Sequence, residues 1–460
     1  MAKNVVLLVL DTVRVDALEP YGAPAGSTPA IAGLARSGTA VPDVFATACW
    51  TLPSHASLFT GRLPRALGLG QAPGGSPQGA HPVMSAQRGR LLPEVLRRAG
   101  WDTRGVSANV WVSGASGFAT GFEVFEEVET GRRQEQVERE DLRGRVVWAL
   151  EGLRARADDG AEAAEAVLAR WLSDRDERPF FWFVNLVEAH SPYLPPKPYN
   201  DLGARERVKA ASEARRHLSL GAIWRACLSE LDVPDEALER MRHLYARSVR
   251  LMDDWIQRLL SRLDDAGELE ETLVVVTSDH GENFGEGGLI AHAFSLDDRL
   301  IRVPLVASDP DFAPGGGARS LADVPALLAD HLGLAGHPWA ERQGPAGFAA
   351  AQWDFVAEDD PRIEVAADAW RLDEKGRRQL FTPLTCVTDG ERKLLARGDA
   401  KELYDLKADT LELDPRPVGH DALSKALDHH DLWASTSPQR PGHEADSKDI
   451  ERRMKLLGYM

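Results

Sequence analysis

The first candidate for chemistry is the hydroxyl of Thr51, which opens the segment Thr-Leu-Pro-Ser-His-Ala-Ser-Leu-Phe-Thr-Gly at residues 51–61. Pro53 suits the first position of a helix and Gly61 the position just after its end, so the segment predicts a short helix. The start of that helix would surround the Thr51 hydroxyl with unpaired backbone N–H groups, which stabilise a bound oxyanion. On these residues alone, a helix cap is the commoner role for such a threonine.

Three side chains at predicted strand ends form a candidate metal set. Asp11 follows one apolar run, and the adjacent Asp279 and His280 follow another. With the Thr51 oxygen as a fourth ligand, the set would present three oxygens and one nitrogen, which favours Mn²⁺ or Zn²⁺ over Mg²⁺ or Ca²⁺. A bound ion would lower the pKa of the threonine hydroxyl, so that Thr51 could attack as an alkoxide. The alternative is an ordinary Asp-His pair in a loop.

Three further histidines are candidates for contact with a substrate. His292 lies twelve residues after His280, and the near-neutral pKa of histidine suits it to protonate a leaving group. His190 ends another predicted strand and could contact a substrate oxyanion. His55 lies one helical turn after Thr51, on the same face, and could bind the same anion. For His292, a solvated loop histidine is the alternative.

The residues that would contact the body of the substrate lie in segments without a recognisable motif. They are the Trp-containing stretch that begins at Asn109, the region 197–224 and the Gly- and Pro-rich segment 66–90. We expect segment 66–90 to be a long loop that borders the site. Glu188, near a strand end, is interpreted as a surface carboxylate, with metal ligation as the alternative.

Composition and charge exclude several classes of function. The chain has 460 residues, 43% of them hydrophobic, which is ordinary for a globular protein. Its 71 acidic and 54 basic residues give a net charge of −17, so we expect soluble small-molecule partners and no nucleic acid or membrane partner. Three scattered cysteines argue against a disulfide framework. The apolar run at residues 5–10 is too short for a signal peptide, which favours the cytoplasm. Nothing in the sequence indicates an oligomeric state.

Alternating strands and helices must position these residues. The pattern predicts an α/β fold with a sheet between helices. In such sheets, ligands bind outside the carboxyl ends of the strands, where Asp11, His190 and the Asp279–His280 pair would converge. Apolar runs predict buried strands, and longer periodic patterns predict helices. The strands are at residues 5–10, 103–107, 180–187, 273–278 and 303–307, and the helices at residues 91–99, 145–173 and 237–266.

The pattern changes after residue 304. Short strands at residues 362–365, 379–387 and 392–395 predict a smaller antiparallel subdomain, and the polar end of the chain predicts an irregular tail with a final short helix. We therefore divide the chain into a catalytic α/β domain at residues 1–345, the C-terminal antiparallel subdomain at 346–415 and a tail at 416–460.

Five motifs follow one another along the chain. They are Asn4-Val-Val-Leu-Leu-Val-Leu-Asp11, Trp50-Thr-Leu-Pro-Ser-His-Ala-Ser-Leu-Phe-Thr-Gly61, Thr277-Ser-Asp-His-Gly-Glu282, His292-Ala-Phe-Ser-Leu with Ile301-Arg-Val-Pro-Leu305, and Glu402-Leu-Tyr-Asp-Leu406. Together, in this order, they resemble the sulfatase family of the alkaline phosphatase superfamily.

The resemblance implies an alkaline phosphatase-like mixed sheet sandwiched between helices, with a smaller C-terminal antiparallel-sheet subdomain. It also implies metal-assisted attack on a small anionic ester, which is a sulfate, phosphate or phosphonate ester. The family's pattern assigns Asp11, Asp279 and His280 to the metal, and His190 and His292 to the transferred group and the leaving group.

Two regions depart from the family's pattern. Sulfatases carry a Cys or Ser, oxidised to formylglycine, in a Cys-x-Pro-x-Arg motif, whereas Thr51 and His55 occupy its first and last positions here. Because threonine cannot form that aldehyde, we expect no formylglycine. Thr12 replaces the second acid of the usual Asp-Asp pair, and His280 replaces the usual Asn, which moves the site away from calcium. The pattern is closer to relatives with a threonine nucleophile that act on phosphodiesters, phosphonates or phospholipid head groups.

The sequence therefore favours a metal-dependent, sulfatase-like hydrolase that cleaves a phosphodiester, phosphonate or sulfate ester through a covalent Thr51 intermediate, with His292 protonating the departing alcohol. Phosphorus is favoured over sulfur, because a sulfated threonine lacks the hemiacetal elimination that formylglycine allows. Two alternatives stay open. One is a phosphoryl- or sulfuryl-transferase to a small-molecule acceptor, and the other is a non-catalytic descendant that binds an anion.

Overall fold

A seven-stranded mixed sheet forms the centre of the fold, as seen in a computed structural model that describes residues 4–71, 76–129, 142–313, 315–340, 345–354, 372–419 and 422–431. The strands in chain order are β1 (Asn4–Leu10), β2 (Thr39–Ala40), β3 (Val44–Phe45), β4 (Asp102–Ser107), β5 (Val124–Glu127), β6 (Phe180–Leu186), β7 (Thr272–Thr277), β8 (Asn283–Phe284), β9 (Ile290–Ala291), β10 (Leu305–Ala307), β11 (Arg319–Ser320), β12 (Ala349–Trp353), β13 (Leu384–Thr388), β14 (Arg392–Arg397) and β15 (Ala400–Asp405).

The large sheet places β1 at its centre. Its strand order is β2-β10-β7-β1-β6-β4-β5. β1 runs parallel to both β6 and β7, whereas β10 runs antiparallel to β7. Every residue of β1, β6 and β7 is buried, which explains why these strands read as continuous apolar runs rather than as alternating patterns. The predicted α/β class is confirmed, and each predicted strand of this sheet differs from the observed one by at most two residues at either end.

Helices cover the large sheet and fill the connections between its strands. They are α1 (Pro29–Ser37), α2 (Thr51–Thr60), α3 (Pro64–Leu67), α4 (Pro77–Ala86), α5 (Leu92–Arg98), α6 (Leu142–Arg154), α7 (Ala161–Asp174), α8 (Ala204–His217), α9 (Leu220–Leu228), α10 (Asp235–Asp265), α11 (Asp298–Ile301), α12 (Val324–His331), α13 (Glu374–Leu380) and α14 (Ala422–Asp431). Among the helices that the structure describes, none is both long enough and apolar enough to cross a bilayer.

The prediction of a long loop at residues 66–90 is wrong, because α4 occupies residues 77–86. The single helix predicted at residues 145–173 is also wrong. It is two helices, separated by a turn in which Ala155 and Gly160 have φ angles of 44° and 114°. Glu188 explains the second helix start, because its buried carboxylate accepts N–H bonds from Asp159 at 3.0 Å and from Ala161 at 2.9 Å. The interpretation of Glu188 as a surface carboxylate is therefore wrong as well.

A four-stranded antiparallel sheet, in the order β12-β13-β14-β15, follows the large sheet along the chain. This agrees with the expected C-terminal subdomain, although the strand predicted at residues 379–387 begins only at Leu384, after α13. The strand predicted at residues 362–365 lies outside the described residues. From the segment predicted as a tail, α14 buries Leu423 and Leu427 against Val387 and Leu394 of this sheet. The division at residues 345 and 415 stays a prediction.

Candidate active site

The carboxyl ends of β1 and β7 bring the predicted metal ligands together. Val9 lies opposite Thr277 in the parallel register of these strands, so Asp11 and the Asp279–His280 pair leave the sheet side by side. One ligand atom from each of these three residues lies within 4.8 Å of the other two, and all three side chains are buried. Sequence positions nearly 270 residues apart therefore meet at the centre of the sheet edge.

Each of the two carboxylates has one oxygen in a hydrogen bond and one without. Asn109 Nδ2 donates to Asp11 Oδ2 at 2.7 Å, and the backbone N–H groups of Thr12 and His280 donate to Asp279 Oδ1 at 3.2 and 3.0 Å. Among the described residues, none forms a hydrogen bond with Asp11 Oδ1 or Asp279 Oδ2, although both atoms are buried. Unpaired buried carboxylate oxygens are costly unless they bind a proton or a cation. These two oxygens fit a metal ion.

The pKa values of both carboxylates reflect the same burial. Burial, and after it the nearby Asp279 carboxylate, raise the pKa of Asp11 to about 7. Burial likewise raises the pKa of Asp279 to about 7. Without a cation, the protein therefore holds protons on these groups at a pH where ordinary aspartates have lost them.

His280 presents an unprotonated nitrogen to this cluster. Its Nδ1 donates to the carbonyl oxygen of Gly281 at 3.0 Å, which leaves Nε2 as an acceptor. Nε2 lies 3.4 Å from Asp279 Oδ2 and 3.3 Å from Thr51 Oγ1. A backbone carbonyl that fixes the far ring nitrogen is the arrangement typical of a metal-binding histidine. Burial lowers the pKa of His280 to about 4, which keeps the ring neutral.

Thr51 is the first residue of α2, and Trp50 occupies the cap position. The cap interpretation of the Thr51 side chain is therefore wrong. Pro53 is the third helical residue rather than the first, and Gly61 ends the helix with a left-handed φ of 68°. The Thr51 hydroxyl faces His280 and lies 3.5 Å from Asn109 Nδ2. Ser54 Oγ, one turn further, donates to the carbonyl oxygen of Asp279 at 2.6 Å and fixes the helix start to the end of β7.

Asn109 follows β4 and joins the nucleophile candidate to the metal candidate. The backbone N–H of Trp111 donates to Asn109 Oδ1 at 2.9 Å, so the amide turns its Nδ2 donors toward Asp11 and Thr51. The sequence predicts Asn109 as a substrate contact, and the structure places its side chain 3.5 Å from the Thr51 hydroxyl.

His55 lies between the cluster of candidate metal ligands and the buried core. Its Nδ1 is 3.0 Å from the Thr51 carbonyl oxygen and 3.4 Å from Asp279 Oδ2. The ring packs edge-on against Phe118 and Phe183 and is fully buried. Burial lowers the pKa of His55 to about 3.

His190 and His292 lie together on the other side of His280. The His292 ring centroid is 4.5 Å from that of His280 and 5.0 Å from that of His190. His292 Nδ1 is 2.9 Å from Glu282 Oε1, and Glu282 is fully buried. Burial lowers the pKa values of His190 and His292 and raises that of Glu282 to about 7.

Sequence reasoning gave no role to Glu282 or to the backbone of Thr12. Thr12 adopts a left-handed φ of 59°, which turns its N–H toward Asp279, while its hydroxyl donates to the Asp11 carbonyl at 2.7 Å. The Tyr245 hydroxyl fixes this turn, because it donates to the Thr12 carbonyl at 2.9 Å and accepts the Arg14 N–H at 2.8 Å. Tyr245 lies on α10, and nothing in its sequence context indicates this contact.

Comparisons with known proteins agree with this arrangement. Residues 3–336 match the family model described as Sulfatase. A choline-sulfatase of Rhizobium meliloti (strain 1021) is 28% identical over 290 residues, which are 58% of this chain and 54% of that protein. The chain thus spans about half the length of the curated relatives that it matches.

Solved structures show the same fold. A phosphonate monoester hydrolase of Agrobacterium radiobacter superposes with a TM-score of 0.64 at 21% identity, over 94% of this chain and 95% of that one. A phosphonate monoester hydrolase from Silicibacter pomeroyi gives a TM-score of 0.57 at 18% identity, over 99% and 95% of the two chains. With a family model that covers well over half of its residues, the chain belongs to the sulfatase family of the alkaline phosphatase superfamily.

Proposed function

We propose that this protein is a metal-dependent hydrolase that cleaves a phosphodiester, phosphonate or sulfate ester through a covalent Thr51 intermediate. One observation carries the proposal. The Thr51 hydroxyl lies within 3.5 Å of both His280 Nε2 and Asn109 Nδ2, beside two buried carboxylates that each have an unpaired oxygen. A threonine with only a structural role needs none of these neighbours.

Asp11, Asp279, His280 and Thr51 would hold one divalent ion. The imidazole nitrogen favours Mn²⁺ or Zn²⁺ over Ca²⁺ or Mg²⁺. When bound, the ion would lower the pKa of the threonine hydroxyl and neutralise charge on the transferred group. The backbone turn at Thr12 and the Gly281 carbonyl would orient Asp279 and His280 as ligands.

Side chains of this protein carry out the remaining steps of the reaction. The Thr51 oxygen forms a bond to phosphorus or sulfur, and the bond to the alcohol oxygen breaks with its electron pair left on that oxygen. His292 gives this oxygen a proton, Asn109 donates a hydrogen bond to the oxygens of the transferred group, and His190 contacts that group. A water molecule then attacks the same phosphorus or sulfur and gives a proton to the now neutral His292, while the bond to Thr51 breaks with its electron pair left on the Thr51 oxygen. We assign His55 a positioning role beneath Asp279 rather than the substrate contact that the sequence predicts.

The chemistry of the intermediate favours phosphorus. A phosphorylated threonine is open to attack by water, whereas a sulfated threonine cannot collapse as formylglycine sulfate does. The fold shared with phosphonate monoester hydrolases supports this preference, and the match to a choline-sulfatase supports the sulfur alternative. Turnover of three matched 4-nitrophenyl esters, a phosphodiester, a phenylphosphonate and a sulfate, distinguishes phosphorus from sulfur as the preferred centre.

Substitution at Thr51 tests the proposal directly. We expect Thr51→Ala to lower turnover of the preferred ester by roughly 10³-fold or more, while the bound metal measured by mass spectrometry persists. Thr51→Ser keeps a hydroxyl and should keep turnover. Thr60→Ala is a matched control, because Thr60 is a buried threonine of the same helix whose hydroxyl donates to the Ala56 carbonyl.

Three outcomes would contradict the proposal. Full turnover by Thr51→Ala with metal still bound would exclude the covalent mechanism. A metal-loaded wild-type protein without activity on any ester would favour the non-catalytic alternative. If turnover instead requires an added alcohol that appears in the product, the protein is a transferase.

A further inference from the structure

We infer that Glu282 is a positioning residue that holds His292 in the tautomer and orientation needed to protonate the leaving group. The inference rests on the proposed function, because that proposal assigns the proton transfer to His292. The sulfatase-like motif contains Glu282 but does not explain why a carboxylate is needed there.

A small hairpin brings the two residues together. β8 and β9 pair antiparallel, with Asn283 opposite Ala291 and Phe284 opposite Ile290. Continuing this register by one residue places Glu282 opposite His292. Their separation of ten residues along the chain therefore follows from the length of the hairpin, and directly opposed residues of such a pair have side chains within contact distance.

The contact between them is specific. Glu282 Oε1 lies 2.9 Å from His292 Nδ1, and the Glu282 side chain is fully buried. Nearby, Arg14 donates to the Glu282 backbone carbonyl at 3.1 Å and pairs with Glu286 at 2.9 Å, which fixes the main chain at this position. A buried carboxylate needs a donor, and the imidazole N–H supplies one.

This contact defines the protons on the ring. In the proposed arrangement, Nδ1–H donates to Glu282 Oε1, and Nε2, on the opposite edge of the ring, would carry the proton for transfer. As the bond between phosphorus or sulfur and the alcohol oxygen breaks, that oxygen keeps the electron pair and takes the Nε2 proton. The neutral ring retains its Nδ1 proton, still bonded to Glu282. A freely rotating ring would lose this alignment.

The test uses the metal-loaded full-length protein and esters that share one phosphoryl group but differ in the pKa of the alcohol. An acid matters most for poor leaving groups. We expect Glu282→Gln to slow esters of alkyl alcohols by about 10²-fold, and to slow the 4-nitrophenyl ester less than about threefold. His292→Ala should behave in the same way, and the double variant should lose no more than His292→Ala alone.

Asp253→Asn is the matched control. Asp253 is a buried carboxylate that accepts N–H bonds from Ala30 and Ile31 at the start of α1. Its replacement should lower the melting temperature without changing the dependence of kcat/KM on the alcohol. Equal slowing of all esters by Glu282→Gln would overturn the positioning role, as would an unchanged dependence in Glu282→Gln when His292→Ala alters it.

Results that contradict the proposed Thr51 mechanism differ from those that would overturn the inference about Glu282. Activity in Thr51→Ala contradicts the covalent mechanism without bearing on the Glu282 contact. If Glu282→Gln does not fold, nitrogen NMR of the ¹⁵N-histidine-labelled, zinc-loaded wild-type protein replaces it, with His292→Ala to assign the signal. We expect a protonated Nδ1 on His292, and an unprotonated Nδ1 would overturn the inference.

Discussion

The side-chain nitrogen of Asn109 faces both Asp11 and the hydroxyl of Thr51. One donor can therefore orient a metal-ligating carboxylate and stabilise charge on the nucleophile or on the oxygens of the transferred group. Donors aimed in advance at developing charge are among the largest contributors to catalysis. The Trp111 N–H prevents the amide from rotating away.

Replacement of this amide should affect turnover more than substrate binding. We expect Asn109→Ala to lower kcat by about 10²- to 10³-fold, with a much smaller change in KM. Steady-state kinetics on the preferred ester measures both constants. As a control, Asn185→Ala removes a buried amide from the neighbouring β6, where it contacts Ser107 rather than Asp11 or Thr51. A loss of equal size in both variants would contradict the role of Asn109.

At the level of residues, the sequence identifies side chains that follow strong local patterns. Asp11, Asp279 and His280 follow apolar runs, and Thr51 opens a helix, so local patterns and strand topology suffice to predict that they meet. The burial of His55 depends on Phe118 and Phe183, which are distant in sequence. The contact of Glu282 with His292 depends on a hairpin with strands of only two residues, which carry no periodic pattern.

Among the elements, the C-terminal sheet supports the segment that follows His292. Lys393 of β14 is buried and donates to the Leu296 carbonyl at 2.9 Å, while its ammonium lies 3.0 Å from Asp298 and 2.5 Å from Glu412. Asp298 is the first residue of α11. The Lys393 side chain therefore connects the antiparallel sheet to the segment that follows His292. Buried charges of this kind depend strongly on one another.

Loss of the lysine should destabilise the whole fold. We expect Lys393→Ala to lower the free energy of unfolding by about 3–5 kcal/mol, because it leaves carboxylates buried without their cation. Denaturant unfolding measures the change. Lys401→Ala in the adjacent β15 removes an exposed pair with Asp428 and should cost less than about 1 kcal/mol. Similar costs for the two variants would show that the buried cluster adds no stability.

Long elements are more predictable than short ones, for physical reasons. β1, β6 and α10 carry seven or more residues of one pattern, and their predicted bounds are close to the observed ones. The turn between α6 and α7 was missed because the capping carboxylate, Glu188, comes from a distant strand end. The Gly- and Pro-rich composition around α4 indicated a loop, yet packing of Met84 and Ala80 into the core stabilises a helix there.

For the whole molecule, metal and pH should act on stability together. The pKa values of Asp11 and Asp279 are raised to about 7 in the folded protein, whereas ordinary aspartates ionise near pH 4. Between those values the folded state holds more protons than the unfolded state. The stability that Asp11 and Asp279 contribute to the metal-free protein therefore falls as the pH rises from about 4 to 7, and levels off above that range.

We expect the melting temperature of the metal-free protein to fall between pH 5.5 and pH 8 relative to that of the double variant Asp11→Asn and Asp279→Asn, and excess Mn²⁺ to raise the wild-type melting temperature more at pH 8. The ion binds only ionised carboxylates, so its contribution grows as the protons leave. Scanning fluorimetry at both pH values, with and without the ion, measures this. The double variant should respond far less to the ion, and a pH response equal to that of the wild-type protein would contradict the assignment.

The central position of β1 has a consequence for the time that the protein takes to be made. Its neighbours β6 and β7 begin at residues 180 and 272, so the most apolar strand of the sheet is synthesised long before either partner. At about 5–20 residues per second, roughly 10–50 s separate the emergence of β1 from that of β7. Until β6 is synthesised, both hydrogen-bonding edges of β1 lack their final partners. From then until β7 is synthesised, the edge that pairs with β7 still lacks its partner. The sheet order therefore leaves an apolar strand without its partners during synthesis, when aggregation competes with folding.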